Sequence, residues 1–599
     1  MKQLILFISL IFISYNNLCA QSKQVQIEKV ENNLIPFVSI KGSEGMNIYD
    51  RMKYYNVLGV SIAVINNYKI AWAKGYGYAD TARRYLVNSE TMFSAGSISK
   101  FVAAVTALKM VEEGKLNLDS PINNYLTTWK IKENDFTKRN PINLKMLLSH
   151  TGGISQSSFF GFTPDRKILP SILDILNGAP GSDNNRIVVN SEPKKEFRYS
   201  GGGLMIAQMA MMDVSKRDFE TINQEKLFNV LGMKNSTFQQ PLPAKFKNQT
   251  SWGYSAAPWY KGMPYIYPQQ AAAGLYSTPT DIAKVFIDVQ KSIIGKGKIL
   301  NKSTAEKMFT SQSNVSEGGY KEQIGIGPFL LQRADNTDKD GVYFEFTGVN
   351  AGFVAYAIGS VENGNGAVIM LNTGDDFNGL GKEIRRSIAK SYNWKNFLPE
   401  EVVPVILTDD QLTNLIGRFR RSEDEVIYIR KEGNYLVEKI NQSNDIICVP
   451  ISKDSIVFTD FNIKGKFNLD ENGNAMSLQS EYQKTPMLKM KDHEFTPTEY
   501  LLAGKYEEAK NGFRKMNMNE YQLTYFAYDL LNKKPVQLEA SKAILELAEE
   551  KFPNSSIVYN RWGNYYFLIK NNELAKSNFE KALKLDPQNT EAIEMLSKF

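Results

Sequence analysis

Ser97-Ile98-Ser99-Lys100 places a hydroxyl and a basic nitrogen where they could meet. A serine becomes a nucleophile at neutral pH only beside a base or a cation. On a helix, residues three apart share a face, so Lys100 can reach the Ser97 hydroxyl. The same spacing recurs at Ser191/Lys194 and Ser387/Lys390. The first of these precedes no helical pattern, and the second falls late in a terminal helix. Ser97 instead opens a helix, where free backbone N–H groups and the positive end of the dipole lie close. The competing structural reading makes it a simple N-cap. Histidine chemistry has little room, because the chain holds two histidines, His150 and His493. With no Gly-x-Ser-x-Gly turn, and with His493 in a separate region, a Ser-His-Asp triad is disfavoured. Cys448 sits in Ile446-Ile447-Cys448-Val449, a strand-like run that predicts a buried, inert thiol.

The elements that must position Ser97 are legible around it. Phe101, Val102, Val105, Leu108 and Val111 recur at helical spacing, and Gly114 ends that run. Upstream, Val57 to Ile65, an Asn66-Asn67 turn and Tyr68 to Ala73 carry a hairpin signature. Downstream, Gly352 to Ile358 and Gly366 to Leu371 read as strands, followed by a helix from about Leu380 to Tyr392. Strands at both ends of residues 25–395, with a mostly helical middle, predict an α+β domain. Its antiparallel sheet would be assembled from both ends and flanked by helices, with a helical region beside it.

Further stretches follow in a fixed order. They are Thr91 to Lys100, Leu116-Asn117-Leu118-Asp119-Ser120-Pro121, Leu147-Leu148-Ser149-His150-Thr151-Gly152-Gly153 and Phe197-Arg198-Tyr199-Ser200-Gly201. Ala273-Gly274-Leu275 with Asp281, and Phe346-Thr347-Gly348 with Gly352-Phe353, complete the series. Together they resemble the serine β-lactamase and penicillin-binding protein superfamily, specifically its class C-like branch. The resemblance implies acyl transfer through a serine ester, with Ser97 as nucleophile and Lys100 as its cationic partner. Tyr199 takes the tyrosine of the family's second motif, Tyr-x-Asn. A phenol of pKa about 10 is a base near neutrality only where positive charge stabilises its anion, which Lys100 could supply. The implied oxyanion hole uses the N–H groups of Ser97 and Val349, the latter just past Gly348 of the third motif. His150 is read as a structural hydrogen-bonder. No metal or other cofactor is implied.

Two departures redirect the expectation. Gly201 stands where the second motif has asparagine, a side chain that helps hold the substrate amide. Phe346 stands where the third motif has lysine or histidine, a cation that meets the substrate carboxylate. Phenylalanine neither donates nor carries charge, so a penicillin-like carboxylate loses its partner; Arg198, next to Tyr199, is the nearest substitute. Two function classes follow. One is an exported serine hydrolase acting on esters, D-alanyl groups or small amides, with a small-molecule or cell-wall-derived acyl substrate. The other is a catalytically weak or silent domain serving as an envelope scaffold.

The rest of the chain supplies context. Lys2, the apolar Leu4 to Ser14 and Leu18-Cys19-Ala20 predict a signal peptide over residues 1–20, and hence a periplasmic or secreted protein. Asn16-Asn17-Leu18 is a poor lipidation signal before Cys19. No later run of about 18 apolar residues predicts a membrane span after cleavage. Of 599 residues, 43% are apolar and 23% charged, which excludes collagen-like and wholly disordered chains. The net charge of +7 is dispersed among 64 acids, leaving no footprint for nucleic acid. Over residues 405–495, Val426 to Ile429, Ile446 to Pro450, Ser455 to Thr459 and Lys466 to Leu469 predict a small antiparallel β-domain. Asp470 to Asn474 and Asp335 to Gly341 have a faint calcium-loop pattern and are read as hairpin turns. In residues 498–599, Pro553 and Pro587 lie 34 residues apart. Tyr559, Trp562, Gly563, Tyr566, Ala575, Phe579 and Ala582 resemble tetratricopeptide spacing. That region is expected either to bind a protein partner or to act as a helical cap.

Overall fold

Apolar runs from opposite ends of the predicted α+β domain meet in the middle of one sheet. The computed structural model describes residues 21–599 apart from 256–263, 318–319, 334–340, 375–378, 441–443, 534 and 588. The signal peptide predicted over residues 1–20, and residues 335–340 of the Asp335 turn, lie outside the described residues. The described residues form two compact units, one of residues 21–36, 44–255 and 264–399, the other of residues 37–43 and 400–599.

The first unit holds a nine-stranded antiparallel sheet. Its strands are β1 (Gly59–Asn66), β2 (Lys69–Asp80), β3 (Tyr85–Leu86), β4 (Ser313–Glu317), β5 (Tyr320–Ile324), β6 (Phe329–Arg333), β7 (Tyr343–Asn350), β8 (Phe353–Ser360) and β9 (Gly366–Leu371). They lie side by side as β3-β2-β1-β9-β8-β7-β6-β5-β4. The pairing of β1 with β9, Ala63 opposite Val368, joins the two ends of the domain as predicted. The β1–β2 turn is Asn67-Tyr68, one residue later than the sequence suggests. Both residues take positive φ, 51° and 60°, as a tight two-residue hairpin requires.

Because side chains alternate across a strand, the sheet feeds two cores. Val60, Ile62, Val64, Ile369 and Leu371 pack with Leu380, Ile384 and Ile388 of α5 (Leu380–Ser391). The opposite face packs Ala63, Ile65, Phe344, Phe346, Val368 and Met370 against helices α1 (Ile98–Glu112), α2 (Gly201–Ser215) and α4 (Pro279–Ile293). The short α3 (Gln270–Ala273) lies beside α1 and α2. Nearly all of α1 is buried, so its surface is apolar on every side rather than along one stripe.

The second unit opens with a closed eight-stranded barrel, where the sequence predicts only a small antiparallel domain. Its strands are β10 (Gly417–Arg420), β11 (Val426–Glu432), β12 (Tyr435–Ile440), β13 (Ile446–Pro450), β14 (Ser455–Phe458), β15 (Ile463–Leu469), β16 (Ala475–Ser480) and β17 (Met487–Lys489). Antiparallel pairing of β10 with β17, Phe419 opposite Lys489, closes the ring. Cys448 is buried in the barrel wall, where desolvation holds its thiol protonated. The Asp470 carboxylate accepts from the Asn472 and Asn474 N–H groups and from the Asn474 amide, which makes this segment the β15–β16 hairpin turn. Among the described residues, seven helices follow from Pro497 to Leu596, and consecutive ones pack in pairs around Trp562, Tyr559, Phe579, Leu545 and Phe513. Among the described residues, no helix is long and apolar enough to cross a membrane and no acidic, histidine or cysteine cluster could hold a metal.

Candidate active site

Ser97 sits at the N-terminus of α1 in helical geometry (φ −67°, ψ −7°), and its side chain makes no capping hydrogen bond. This removes the N-cap reading. The hydroxyl instead meets Lys100, whose Nζ donates to Ser97 Oγ at 2.9 Å and to the Ala272 carbonyl of α3 at 2.7 Å. Ser97 is partly exposed, while its neighbours Thr91 to Gly96 and Ile98 to Lys100 are buried. Ser97 is therefore the one partly exposed residue in an otherwise buried segment, residues 91–100. Ser99 fixes the turn from beneath, donating to the Gly96 carbonyl at 2.6 Å and accepting from the Leu275 N–H at 3.0 Å.

Burial decides the acid–base character. Lys100 is enclosed, and desolvation of its charged form pulls its pKa down to about 7. The Tyr199 phenol is pushed up by desolvation, only partly opposed by the Ser97 hydroxyl beside it. The Lys100 ammonium lies 5.0 Å from the centre of the Tyr199 ring. This reverses the expectation in which lysine stays charged and tyrosine ionises. Near neutrality the lysine is the group that gives up its proton, and the phenol keeps its own.

His150 explains how Tyr199 is held. It is buried at φ +56°, and its carbonyl accepts from the Arg198 N–H at 2.8 Å. Its Nδ1 accepts from the Ser200 N–H at 3.2 Å, and its ring lies 4.6 Å from that of Tyr199. One residue thus clamps the chain on both sides of the phenol. Desolvation, with the nearby Lys100 charge, holds the imidazole pKa down at about 3, so it is neutral. The hydrogen-bonding role expected from sequence matches this geometry.

The opposite wall is β7. Strand β6 pairs with β7 only over Tyr343–Glu345, so the edge of β7 beyond Glu345 lies against Ala95–Ser97. A Cβ at Gly348 would fall 1.9 Å from the Ala95 carbonyl and 3.1 Å from the Ser97 N, and one at Gly96 (φ +52°) would fall 2.6 Å from the Val349 N. Only glycine permits this approach, which sets the backbone of Gly96–Ser97 directly against that of Gly348–Val349. Asn350 ties the strand end down by donating to Ser94 Oγ at 2.7 Å and to the Ala273 carbonyl at 2.9 Å.

Phe346 corrects the sequence picture. It is 1% exposed, so it does not offer its ring to a substrate. Phe329 of β6 stands 5.3 Å from it, and the same ring contacts Phe197 at 5.8 Å and Tyr199 at 6.3 Å. The place of the family's cation is therefore closed by an aromatic cluster whose centre, Phe329, no local motif announces. Arg198 does not replace that cation, because its guanidinium donates to Asn190 Oδ1 at 2.6 Å and Ser191 Oγ at 3.1 Å. Gly201 opens α2, and a Cβ there would lie 3.0 Å from the Phe159 ring.

Residues 47–390, which enclose all of these groups, match the beta-lactamase family profile. The chain belongs to the beta-lactamase family. Among its curated relatives is the teichoic acid D-alanine hydrolase of Staphylococcus aureus, 24% identical over 253 residues. The match covers 42% of this chain and 59% of that protein. The version from strain MRSA252 is also 24% identical, over 257 residues, with the same coverage. Among solved structures, the octameric penicillin-binding protein homologue from Pyrococcus abyssi aligns with a TM-score of 0.53 at 21% identity. It covers 74% of this chain and 98% of its own, a likeness of fold. Within the family, the Ser97–Lys100–Tyr199 grouping lies where the chain's own packing concentrates two shifted titratable groups beside one accessible hydroxyl.

Proposed function

We propose that this beta-lactamase family chain is an exported serine hydrolase that cleaves neutral esters, D-alanyl groups or small amides through an acyl-enzyme on Ser97. The observation that carries the reading is the contact of 2.9 Å between Ser97 Oγ and a lysine whose pKa is near 7. In the neutral amine this contact reverses, and the hydroxyl donates to the Nζ lone pair. As Oγ attacks the substrate carbonyl carbon, its proton passes to Nζ. The oxygen that gains charge is met by the Ser97 and Val349 N–H groups. Collapse expels the alcohol, which takes a proton from Lys100 with the Tyr199 hydroxyl as relay. Water then attacks the acyl-enzyme by the reverse route and releases the acid, restoring Ser97.

Phe346 supports the choice of substrate. With the place of the cation closed by Phe346 and Phe329, a substrate carboxylate would forgo a charge-assisted hydrogen bond worth about 1.5–3 kcal/mol, or roughly 10- to 150-fold in transition-state binding. A D-alanyl ester carries no free carboxylate, so the substrate in the relatives' name fits such a site. The test is kcat/KM for a nitrophenyl ester and a chromogenic cephalosporin. The ester is expected to be preferred, and Ser97→Ala to abolish its turnover. A cephalosporin value above about 10⁵ M⁻¹s⁻¹, inside the ordinary enzyme range, would contradict the reading. Because Phe329 covers position 346, Phe346→His would bury a base rather than present a cation, and it is expected to leave the cephalosporin a poor substrate.

A second reading draws on the helical region. The spacing of residues 559–587 supports tetratricopeptide-like repeats, and a cleft of about 350 Å³ lined by Tyr521, Tyr525, Asn560, Arg561 and Glu591 offers a seat for a protein partner. A hydrolase tethered to an envelope partner satisfies both readings. A silent scaffold satisfies only the second, and it requires that Ser97→Ala change nothing.

A further inference from the structure

The loss of asparagine at position 201 has a steric counterpart in a loop that sequence motifs do not mark. Residues 155–162 leave the His150 segment and pass in front of α2. The Ser200 hydroxyl donates to the Ser155 carbonyl at 2.9 Å, and the Gly201 and Gly202 N–H groups donate to Ser157 and Gln156 at 2.8 and 3.0 Å. At the other end, Phe162 and Ile266 exchange two backbone hydrogen bonds of 2.8 Å. The Tyr267 phenol donates to the Phe160 carbonyl at 3.2 Å while accepting from the Ala351 N–H at 2.9 Å. Gly161 (φ +76°) lies so close on the Tyr267 ring that a Cβ would meet it at 2.5 Å. One anchor of the loop is thus next to Tyr199, and the other is two residues beyond Val349. Between the anchors come two consecutive phenylalanines. Phe159 is half-buried, with its ring where a side chain at 201 would begin, and Phe160 is 85% exposed.

We propose that Phe159 and Phe160 form an apolar subsite at the mouth of the Ser97 site, and that it takes the alkyl chain of the acyl group delivered to that serine. The inference rests on the hydrolase reading above and narrows it. By the resemblance, the asparagine expected at this point helps hold the substrate amide. Here the amide donor and acceptor are gone and the Phe159 ring stands against their place, so the substrate meets a surface there that rewards apolar contact. The loop backbone is pinned at both ends, so Phe160 stands on a segment that needs no substrate to order it.

The test compares nitrophenyl acetate with nitrophenyl octanoate on the full mature chain. Wild type is expected to favour octanoate in kcat/KM, and Phe160→Ser to cut the octanoate-to-acetate ratio about tenfold, the scale of methylene discrimination in a hydrophobic pocket. Equal loss on both esters, or no chain-length preference in wild type, would overturn the subsite. Binding of methyl octanoate to the Ser97→Ala protein, measured by calorimetry, reads the subsite without chemistry. Binding weakened about tenfold by Phe160→Ser supports it, even if no ester turns over and the hydrolase reading falls. Binding indifferent to residue 160 overturns it, even if esters are hydrolysed.

Discussion

Lys100 is where burial does chemical work at the scale of a single residue. A lysine in water is charged at pH 7, but the enclosed Lys100 has its pKa drawn down to about 7. The acylation step needs the neutral amine, so ester kcat/KM is expected to rise with pH and to level off above a midpoint near 7. His150, held down near pKa 3, and Tyr199, pushed up, contribute no inflection between pH 5 and 9. A flat profile across that window would remove Lys100 as the base. Lys100→Arg keeps a cation that cannot be deprotonated, and it is expected to lower kcat/KM by about 10²- to 10⁴-fold. Gly348→Ala tests the opposite wall. Its new Cβ would collide with the Ala95 carbonyl and drive β7 away from Ser97. The expected loss is about 10²- to 10³-fold in kcat, as for removal of one oxyanion donor. The Ser-x-x-Lys pair was legible in sequence because its spacing is local, whereas Tyr199 lies far along the chain and entered only through the family resemblance. The lysine's second acceptor, Ala272, and the ring that covers Phe346, Phe329, come from remote segments and carry no pattern of their own.

At the scale of elements, β1, β9 and α1 followed from the sequence, because each is an almost unbroken buried run. The barrel's closure did not. Strands β10 and β17 have four and three residues, too short for alternation to register, and their pairing spans residues 419–489. Barrel strand β12 carries Glu438, which is 6% exposed. Burial lifts its pKa to about 7, with Asp460 and Glu425 adding and Arg421 opposing. Between pH about 4.5 and 7 the folded barrel keeps a proton that the unfolded chain has released, so stability falls as pH rises through this window. The loss amounts to about 3 kcal/mol at most, at 1.36 kcal/mol per pKa unit. Denaturant unfolding at pH 5 and pH 8 should show it, and Glu438→Gln should flatten the difference. An unchanged pH dependence in that variant would mean the carboxylate ionises without penalty.

The whole molecule combines a beta-lactamase family region, residues 47–390, with a barrel and a helical array. Residue roles in that region hang together only if Ser97 is the group that becomes acylated. The proposed work of Lys100 as base, Tyr199 as relay and the Ser97 and Val349 N–H groups as oxyanion donors all depends on that one bond. The measurement that tests it most directly is mass spectrometry of the protein after reaction with a fluorophosphonate. Trypsin should release the peptide Tyr85–Lys100 carrying one phosphonyl group, and fragmentation should place that group on Ser97 rather than on Ser89, Ser94 or Ser99. Ester turnover should vanish in step with the labelling. A label on any other serine, or full turnover in protein whose Ser97 is phosphonylated, would contradict the account.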